Sequence, residues 1–238
     1  MLKFKIPMNL PASLPAPWGV KLHLPGPDGK GKSYSPVDYP NDNGDSDVMH
    51  MLVKPYPLQE GGGYGAHLCG GMKIGETAHF TLKPPRLIHG ETEPVGKYDV
   101  VMLIGGGTGI APLIQIARAE VRDSLATKNT KKRIKMLSVN RFNDDILMKK
   151  EIDDLVVESG GNFEVVYLDS ATEGRGDVEL AKRILKNDDD GDRRKMVYVC
   201  GTDGFVEYWS GMTVRDDFGR KQQGERPFEH PVGATSTL

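Results

Sequence analysis

The sequence predicts a small antiparallel β-barrel followed by a doubly wound α/β domain with a parallel sheet. Proline and glycine are dense over roughly the first 95 residues, where the apolar runs are short. Beyond that point, longer apolar runs alternate with stretches of helical spacing. A chain of 238 residues has room for two modest domains, and we place them at residues 1–94 and 95–238.

The first region contains four strand-like runs, LKFKI, VKLHL, VMHMLVK and TAHFTL. The segments between them, such as LPGPDGKGK and YPNDNGDSD, are rich in the residues typical of turns. Strands of this length and spacing favour an antiparallel barrel or sandwich. Because the first run already alternates from Met1 onward, the sequence leaves open whether an N-terminal membrane anchor or a first strand is missing.

The second region opens with an almost continuous apolar run from Tyr98 to Ile104, typical of a strand buried on both faces. The segment APLIQIARAEVRDSL follows with helical spacing. Further strands are predicted at RIKMLSVN, NFEVVYLD and KMVYVC, with helices at DDILMKKEIDDLVVES and VELAKRILK. This alternation predicts a parallel sheet with right-handed crossovers. The final stretch, GRKQQGERPFEHPVGATSTL, shows no strand pattern, so we expect a loop or disorder there.

The composition excludes several classes of protein. Hydrophobic residues make up 38% and charged residues 27% of the chain, which is ordinary for a globular protein. A net charge of −2 gives no basis for binding nucleic acid, and no apolar run approaches the ~20 residues of a membrane span. The six histidines show no metal-ligand spacing. Two cysteines in a chain of this length indicate a reducing compartment, and we expect a cytoplasmic protein that is a monomer.

A glycine-rich segment, Ile104-Gly-Gly-Gly-Thr-Gly-Ile-Ala-Pro112, lies between the first buried strand and its helix. Gly106, Gly107, Thr108 and Gly109 form a candidate phosphate loop. Glycine permits a sharp turn that brings backbone N–H groups close to a diphosphate, and the helix N-terminus favours negative charge. The alternative is a glycine turn without a ligand. The proline that ends the motif departs from the usual dinucleotide fingerprint, which ends in glycine or alanine.

This proline variant is similar to the ferredoxin–NADP reductase superfamily, and the chain resembles NADH–cytochrome b5 reductases from about residue 2 to residue 210. The resemblance implies a ferredoxin reductase-like fold, with an FAD-binding barrel, an NAD-binding domain, and FAD and NADH as cofactors. Five motifs carry it in order: Lys32-Ser-Tyr-Ser-Pro-Val37; Leu52-Val-Lys-Pro-Tyr56; Gly62-Gly-Tyr-Gly-Ala-His-Leu68 with Met72-Lys-Ile-Gly-Glu76; the segment from Asn140 to Leu155; and Val199-Cys-Gly201.

The resemblance also implies roles for individual residues. Tyr34 lies against the flavin ring system and Ser35 hydrogen-bonds to its edge. Cys200 and Gly201 lie beside the nicotinamide where hydride is transferred, so Tyr34, Ser35 and Cys200 are the predicted catalytic residues. Barrel packing for Tyr34 and core packing for Cys200 are the alternatives. The remaining residues predicted to hold the flavin and the nicotinamide are Lys32, Lys54, Tyr56, Gly63, Tyr64, Gly65 and Ala66.

Asp169 closes the third strand of the second region and is the predicted ribose ligand. A carboxylate there accepts hydrogen bonds from the adenosine ribose and repels a 2′-phosphate. Relatives with aspartate at this position resemble NADH-selective enzymes, so NADH is favoured over NADPH. Arg141 follows the second strand and offers a charge for a phosphate, which keeps NADPH open.

Three departures from the family pattern concern the flavin. Lys32 stands where the family has arginine and lacks the planar fork that contacts phosphate bidentately. Ala66 and Ala111 stand where the family has a hydroxyl residue. We expect these losses together to weaken flavin binding roughly a hundredfold or more, since each ~1.4 kcal/mol is a factor of ten.

The leading hypothesis is a flavoprotein reductase. Hydride passes from NADH to FAD at the domain interface, and single electrons then pass to an acceptor such as cytochrome b5. A second hypothesis is a degenerate paralogue that keeps the fold, binds little or no flavin and acts through protein contacts. A third keeps the enzyme but changes the acceptor, for example to haem or iron.

Overall fold

The computed structural model describes residues 1–6, 16–23, 31–38, 47–55, 63–83, 95–185 and 193–211, and three short strands beyond them. It divides the chain into two compact units, Met1–Pro85 and Arg86–Leu238. The predicted boundary between residues 94 and 95 adjoins residues outside the described part, so it stays a prediction.

The first unit is built from antiparallel strands. One sheet has two strands and a second has three, with β2 in the middle. Val20 and Leu22 of β2 are buried while their neighbours along the strand are half-exposed, as alternation requires. The strands are β1 (Leu2–Lys5), β2 (Gly19–His23), β3 (Gly31–Tyr34), β4 (Val48–Met51) and β5 (His79–Lys83), and the helix α1 (Gly63–Ala66) continues into a wider turn (His67–Gly71).

The second unit is a parallel sheet with helices. Its strand order is β12-β9-β6-β7-β8. With the antiparallel first unit, this sheet confirms the predicted fold class. The elements are β6 (Val100–Gly106), α2 (Ile110–Ala126), β7 (Arg133–Asn140), α3 (Lys149–Glu158), β8 (Phe163–Asp169), α4 (Val178–Leu185), β9 (Lys195–Cys200), α5 (Asp203–Ser210), β10 (Thr213–Arg215), β11 (Lys221–Gln223) and β12 (Ala234–Thr237).

The strand order reverses beside β6. The chain runs from β6 to β7 and β8 on one side, then returns to place β9 on the other side. In doubly wound folds, the helices that follow the strands on either side of such a reversal diverge and leave a ligand crevice at the carboxyl ends of those strands, which here are β6 and β9. Gly105 of β6 pairs with Cys200 of β9 at that end of the sheet. The topology thus brings two separate sequence motifs to one place.

The C-terminal stretch corrects one expectation. We expected no strand in the last 20 residues, yet β11 pairs with β10 and β12 extends the parallel sheet beside β9. Thr235 of β12 pairs with Val197 in this register. The run ATST has no apolar alternation, so only pairing with an existing strand edge and the β-propensity of threonine mark it as a strand. None of the described helices is long and apolar enough to cross a membrane.

A buried ion pair lies at the amino-terminal end of the sheet. Lys132 Nζ is 2.5 Å from Glu120 Oε2, and the two side chains are 1% and 0% exposed. The backbone N–H of Gly96, four residues before β6, donates to the same carboxylate oxygen at 3.2 Å. Burial raises the pKa of Glu120, and the lysine acts against that rise. The pair therefore ties α2, the start of β7 and the segment before β6 together.

Breaking this pair should be costly. Lys132→Met leaves the Glu120 carboxylate buried without its countercharge, so we expect a loss of about 3–5 kcal/mol in the free energy of unfolding. Urea titration measures it. Lys150→Met is the matched control, because the Lys150–Asp154 pair on α3 is exposed and its loss should leave the midpoint unchanged. An equal effect of the two substitutions would contradict the structural role of the buried pair.

The pH dependence of the Lys132→Met variant follows from the same group. Burial raises the pKa of Glu120 in the folded state, and loss of the lysine raises it further. The folded variant then binds a proton that the unfolded chain releases. The loss of unfolding free energy in the variant, relative to wild type, is therefore largest above the pKa of Glu120 in the folded state. It shrinks as pH falls towards the ordinary glutamate range near ~4.3. Unfolding curves at neutral pH and at about pH 5 compare the two conditions.

Candidate functional site

The glycine loop at the end of β6 has one open side. A single tight turn, Gly107–Gly109, joins β6 to α2. Gly107 has φ +54°, which favours glycine, and no atom in the described part of the chain lies within 4 Å of where its Cβ would stand. Gly107 and Thr108 are exposed. Backbone groups of Gly107 and Thr108, which lie just before the 17-residue helix α2, are thus accessible to an anion near the positive end of the helix dipole.

The other side of the loop packs directly on the end of β9. A Cβ on Gly109 would stand 2.3 Å from the carbonyl oxygen of Cys200 and 2.7 Å from the Cα of Gly201. Only glycine permits such a backbone-to-backbone approach. The structure therefore brings the predicted loop residues Gly106–Gly109 together with Cys200 and Gly201, two predicted residues that lie some 90 positions further along the chain.

Phe205 completes this arrangement, and sequence analysis missed it. The positions that a Cβ would take on Gly106 and Gly201 lie 2.8 Å and 2.6 Å from its ring, so the ring packs on both glycines. Its backbone N–H donates to the carbonyl of Thr202 at 2.9 Å. The sequence feature that could have identified Phe205 is its spacing from Trp209, which places both aromatic rings on one face of α5.

The thiol of Cys200 is electrically neutral at physiological pH. Burial raises its pKa to about 12, and the backbone N–H of Gly201 opposes that rise only in part. A thiolate is the nucleophilic form of cysteine, so this residue is poorly suited to covalent catalysis. A small neutral group at the carboxyl end of β9 is suited instead to contact with an uncharged or weakly polar ligand ring.

Asp169 lies at the carboxyl end of β8, two strands from β6. Neighbouring strands are about 4.8 Å apart, so Asp169 is displaced from the glycine loop by roughly 10 Å across the sheet. Its side chain is largely buried, and Oδ1 accepts the backbone N–H of Ala171 at 2.9 Å. Arg141, at the end of β7 between them, is exposed and lies over the Phe142 ring at 5.2 Å. Asp169 and Arg141 therefore lie at the same carboxyl-terminal end of the sheet as the glycine loop.

The turn after Asp169 is fastened to α5. Tyr208 donates its hydroxyl to the carbonyl of Gly176 at 2.7 Å. Gly176 has φ +71°, and a Cβ there would stand 2.9 Å from Leu168 and 3.2 Å from Trp209. Helix α5 therefore contacts the end of β9 through Phe205 and the turn beyond β8 through Tyr208.

The residues predicted to hold the flavin lie in the first unit. Tyr34 and Tyr64 are partly buried against the core formed by Trp18, Met51 and their neighbours. Burial raises the pKa of Tyr34, and the adjacent Cys69 and Tyr64 raise it further. The structure thus brings Tyr34 close to Tyr64, the central residue of the predicted flavin loop.

The other predicted flavin residues differ in how exposed they are. Lys32 is exposed and shares one face of β3 with Tyr34, since the two are two positions apart on the strand. Gly63 has φ +58°, and among the described residues no atom lies within 4 Å of its Cβ position, so this exposed turn is also open on that side. Ser35 and Gly65 are partly buried, Lys54 is exposed and Ala66 is fully buried. Tyr56 lies outside the described residues.

Comparison with known proteins agrees with this geometry. Residues 103–210 match the family model described as the oxidoreductase NAD-binding domain. NADH-cytochrome b5 reductase 1 of Candida glabrata is 32% identical over 183 residues, covering 74% of this chain and 58% of that protein. NADH-cytochrome b5 reductase 2 of Kluyveromyces lactis is 32% identical, covering 77% and 58%. The chain thus spans less than two thirds of these relatives.

Solved structures share the fold. The CS-b5R domains of human Ncb5or in the NAD⁺ form match with a TM-score of 0.64 at 20% identity, over 86% of this chain and 58% of that one. The cytochrome b5 reductase domain of Ulva prolifera nitrate reductase matches with a TM-score of 0.60 at 19% identity, over 87% and 82%.

The fold, the glycine loop and the adjoining Cys-Gly turn define an oxidoreductase-type dinucleotide-binding module. Within that class, the chain is similar in sequence to NADH–cytochrome b5 reductases and shares the fold of the cytochrome b5 reductase domains of known structure.

The contact at Gly109 makes a sharp prediction. The methyl group of Gly109→Ala would clash with the backbone of Cys200. Backbone atoms cannot move aside as the end of a flexible side chain can. We expect the dissociation constant for NADH to rise at least about tenfold, a change of about 1.4 kcal/mol. Calorimetric titration measures it. Gly204→Ala is the matched control, because no atom lies within 4 Å of that Cβ position. Wild-type affinity in the Gly109→Ala variant would show that the loop does not hold the dinucleotide.

Proposed function

We propose that the chain is a reductase in which NADH donates hydride to FAD, and a one-electron acceptor such as cytochrome b5 receives the electrons. FAD, when bound, supplies the conversion of a two-electron donor into one-electron steps. One observation carries the proposal: the open glycine turn of β6 and the Cys-Gly end of β9 are in contact at the point where the strand order reverses.

The second unit provides a coherent set of dinucleotide contacts. Backbone N–H groups of residues 107–109 and the N-terminus of α2 face the diphosphate. One carboxylate oxygen of Asp169 accepts hydrogen bonds from the ribose hydroxyls, while the other, Oδ1, accepts the backbone N–H of Ala171. Cys200 and Gly201 support the nicotinamide, and the neutral thiol leaves its charge unperturbed. Gly107 has no side chain on the open side of the turn, so a bulky diphosphate can approach the backbone there.

The first unit supplies residues suited to a flavin. Tyr34 offers an aromatic face with a neutral hydroxyl, and Ser35 offers a hydrogen bond to the ring edge. Lys32, on the same face of β3 as Tyr34, offers positive charge for a phosphate. Lys54, Tyr56, Gly63, Tyr64, Gly65 and Ala66 complete the proposed set. The open turn at Gly63 fits a phosphate group as the turn at Gly107 does.

A degenerate paralogue is the second candidate, and a specific observation favours it. Ala66 and Ala111, which replace hydroxyl residues of the family, are 0% and 3% exposed. Neither position offers a hydrogen bond to a cofactor. The cytoplasmic location, the monomeric state and the identity of the acceptor stay predictions.

The visible absorption spectrum separates the two candidates. The purified protein is incubated with FAD, freed of excess by gel filtration, and mixed with NADH without oxygen. A reductase gives a bound flavin spectrum that bleaches on adding NADH. A protein that stays colourless after incubation with FAD would sink the reductase proposal and leave the paralogue. Cytochrome b5 and ferric iron, added after bleaching, then distinguish the acceptors by their reduction spectra.

Nucleotide selectivity tests the role of Asp169. Asp169→Asn keeps an acceptor for the Ala171 N–H but removes the charge that repels a 2′-phosphate. We expect the ratio of kcat/KM for NADPH over NADH to rise about tenfold or more, equivalent to about 1.4 kcal/mol. Asp177→Asn is the control, because Asp177 also accepts a backbone N–H, from Leu180 at 2.8 Å, before α4. An unchanged ratio in the Asp169→Asn variant removes Asp169 from the ribose site.

A further inference from the structure

Asp38 and His50 form a buried polar pair in the first unit. They are 3% and 8% exposed. The backbone N–H of His50 donates to Asp38 Oδ1 at 3.1 Å, and His50 Nδ1 hydrogen-bonds to Asp38 Oδ2. Both carboxylate oxygens therefore contact one residue. A buried carboxylate is costly unless its oxygens are satisfied, so the pair is a specific arrangement and not a solvent contact.

The pair joins two stretches of chain side by side. Asp38 follows β3 by four residues, and His50 lies within β4. Between them the backbone N–H of Val37 donates to the carbonyl of His50 at 2.9 Å, and Pro36 pairs with Met51. The segment after β3 is thus fastened to β4 by the backbone bridge at Pro36, to which the Val37 N–H contributes, and by the Asp38 side chain.

These two stretches carry predicted flavin residues. Tyr34 ends β3, where it pairs with Val20 of β2, and Ser35 is the next residue. Ser35 therefore lies between two fixed points, the β2–β3 ladder and the Pro36–Asp38 attachment. On the other stretch, β4 leads within three residues of its end to Lys54. A slip of one residue between the stretches would turn alternate side chains to the opposite face.

We propose that Asp38 and His50 are positioning residues that fix the register between the Tyr34–Ser35 segment and the strand leading to Lys54. The inference rests on the proposed function, because it gives the pair a purpose only if these segments hold FAD. The two hydrogen bonds that the Asp38 carboxylate makes with His50 supplement the backbone bonds. They can form in only one register of the two stretches. Its effect is on flavin binding, while the dinucleotide contacts proposed for the second unit do not involve it.

Replacing both partners separates positioning from stability. Asp38→Leu or His50→Phe alone leaves a buried polar group unpaired and lowers the melting temperature. The double variant removes both polar groups, replaces them with apolar side chains of similar shape and recovers much of that stability. The measurements are thermal unfolding, FAD titration by flavin fluorescence, the visible spectrum of bound flavin, and kcat and KM for NADH. His23→Phe is the control, because His23 contacts Thr81 on neighbouring strands.

We expect the double variant to bind FAD about tenfold more weakly than wild type, a change of about 1.4 kcal/mol, while its KM for NADH measured with saturating FAD stays unchanged. The His23→Phe control should match wild type in both. A folded double variant with wild-type FAD affinity and spectrum overturns the positioning role and leaves the proposed function standing. A wild-type chain that binds no FAD overturns both.

Discussion

The contact between Gly109 and the Cys200–Gly201 backbone is the constraint on which the candidate site depends. A Cβ on Gly109 would stand 2.3 Å from the carbonyl oxygen of Cys200, so no side chain fits between the glycine loop and β9. The spacing of the two strand ends is therefore set by backbone atoms, which cannot move aside as a flexible side chain can. Phe205 then packs on Gly106 and Gly201 from α5. The loop, the Cys-Gly turn and the starts of α2 and α5 are consequently held together before any ligand binds, which lowers the entropic cost of binding.

The two ends of the parallel sheet differ in chemistry. At the amino-terminal end, the Glu120–Lys132 ion pair and the Gly96 N–H that donates to Glu120 place buried, oppositely charged groups in contact. At the carboxyl-terminal end, Gly107 and Thr108 are exposed, and among the described residues no atom lies within 4 Å of the Cβ position of Gly107. Between them, β6 from Val100 to Ile104 is buried throughout. A rigid core with one open polar end is the arrangement expected of a doubly wound fold that binds its ligand at the strand reversal.

Features determined by local pattern were predictable from the sequence, and features determined by tertiary pairing were not. Strand β6 follows from a continuous apolar run, and the glycine loop from its place between that strand and α2. Strand β12 depends on the edge of β9, since ATST has no apolar pattern of its own. The contact of Phe205 with two glycines, and the Asp38–His50 pair, join residues whose proximity no periodicity reveals. The resemblance named Cys200 and Gly201, but their contact with Gly109 emerges only from the fold.

The buried positions of Ala66 and Ala111 change the meaning of the departures from the family pattern. A hydroxyl at either position would need a partner inside the protein, so its absence is a packing difference as much as a lost ligand contact. Of the three departures, only Lys32 has an exposed side chain that can contact a phosphate directly. If the chain binds FAD as proposed, its affinity depends less on individual hydroxyl contacts and more on how accurately Tyr34, Ser35 and the Gly63–Ala66 turn are aligned. In our proposal, that alignment depends on the attachment of residues 36–38 to β4, because Tyr34 and Ser35 directly precede it.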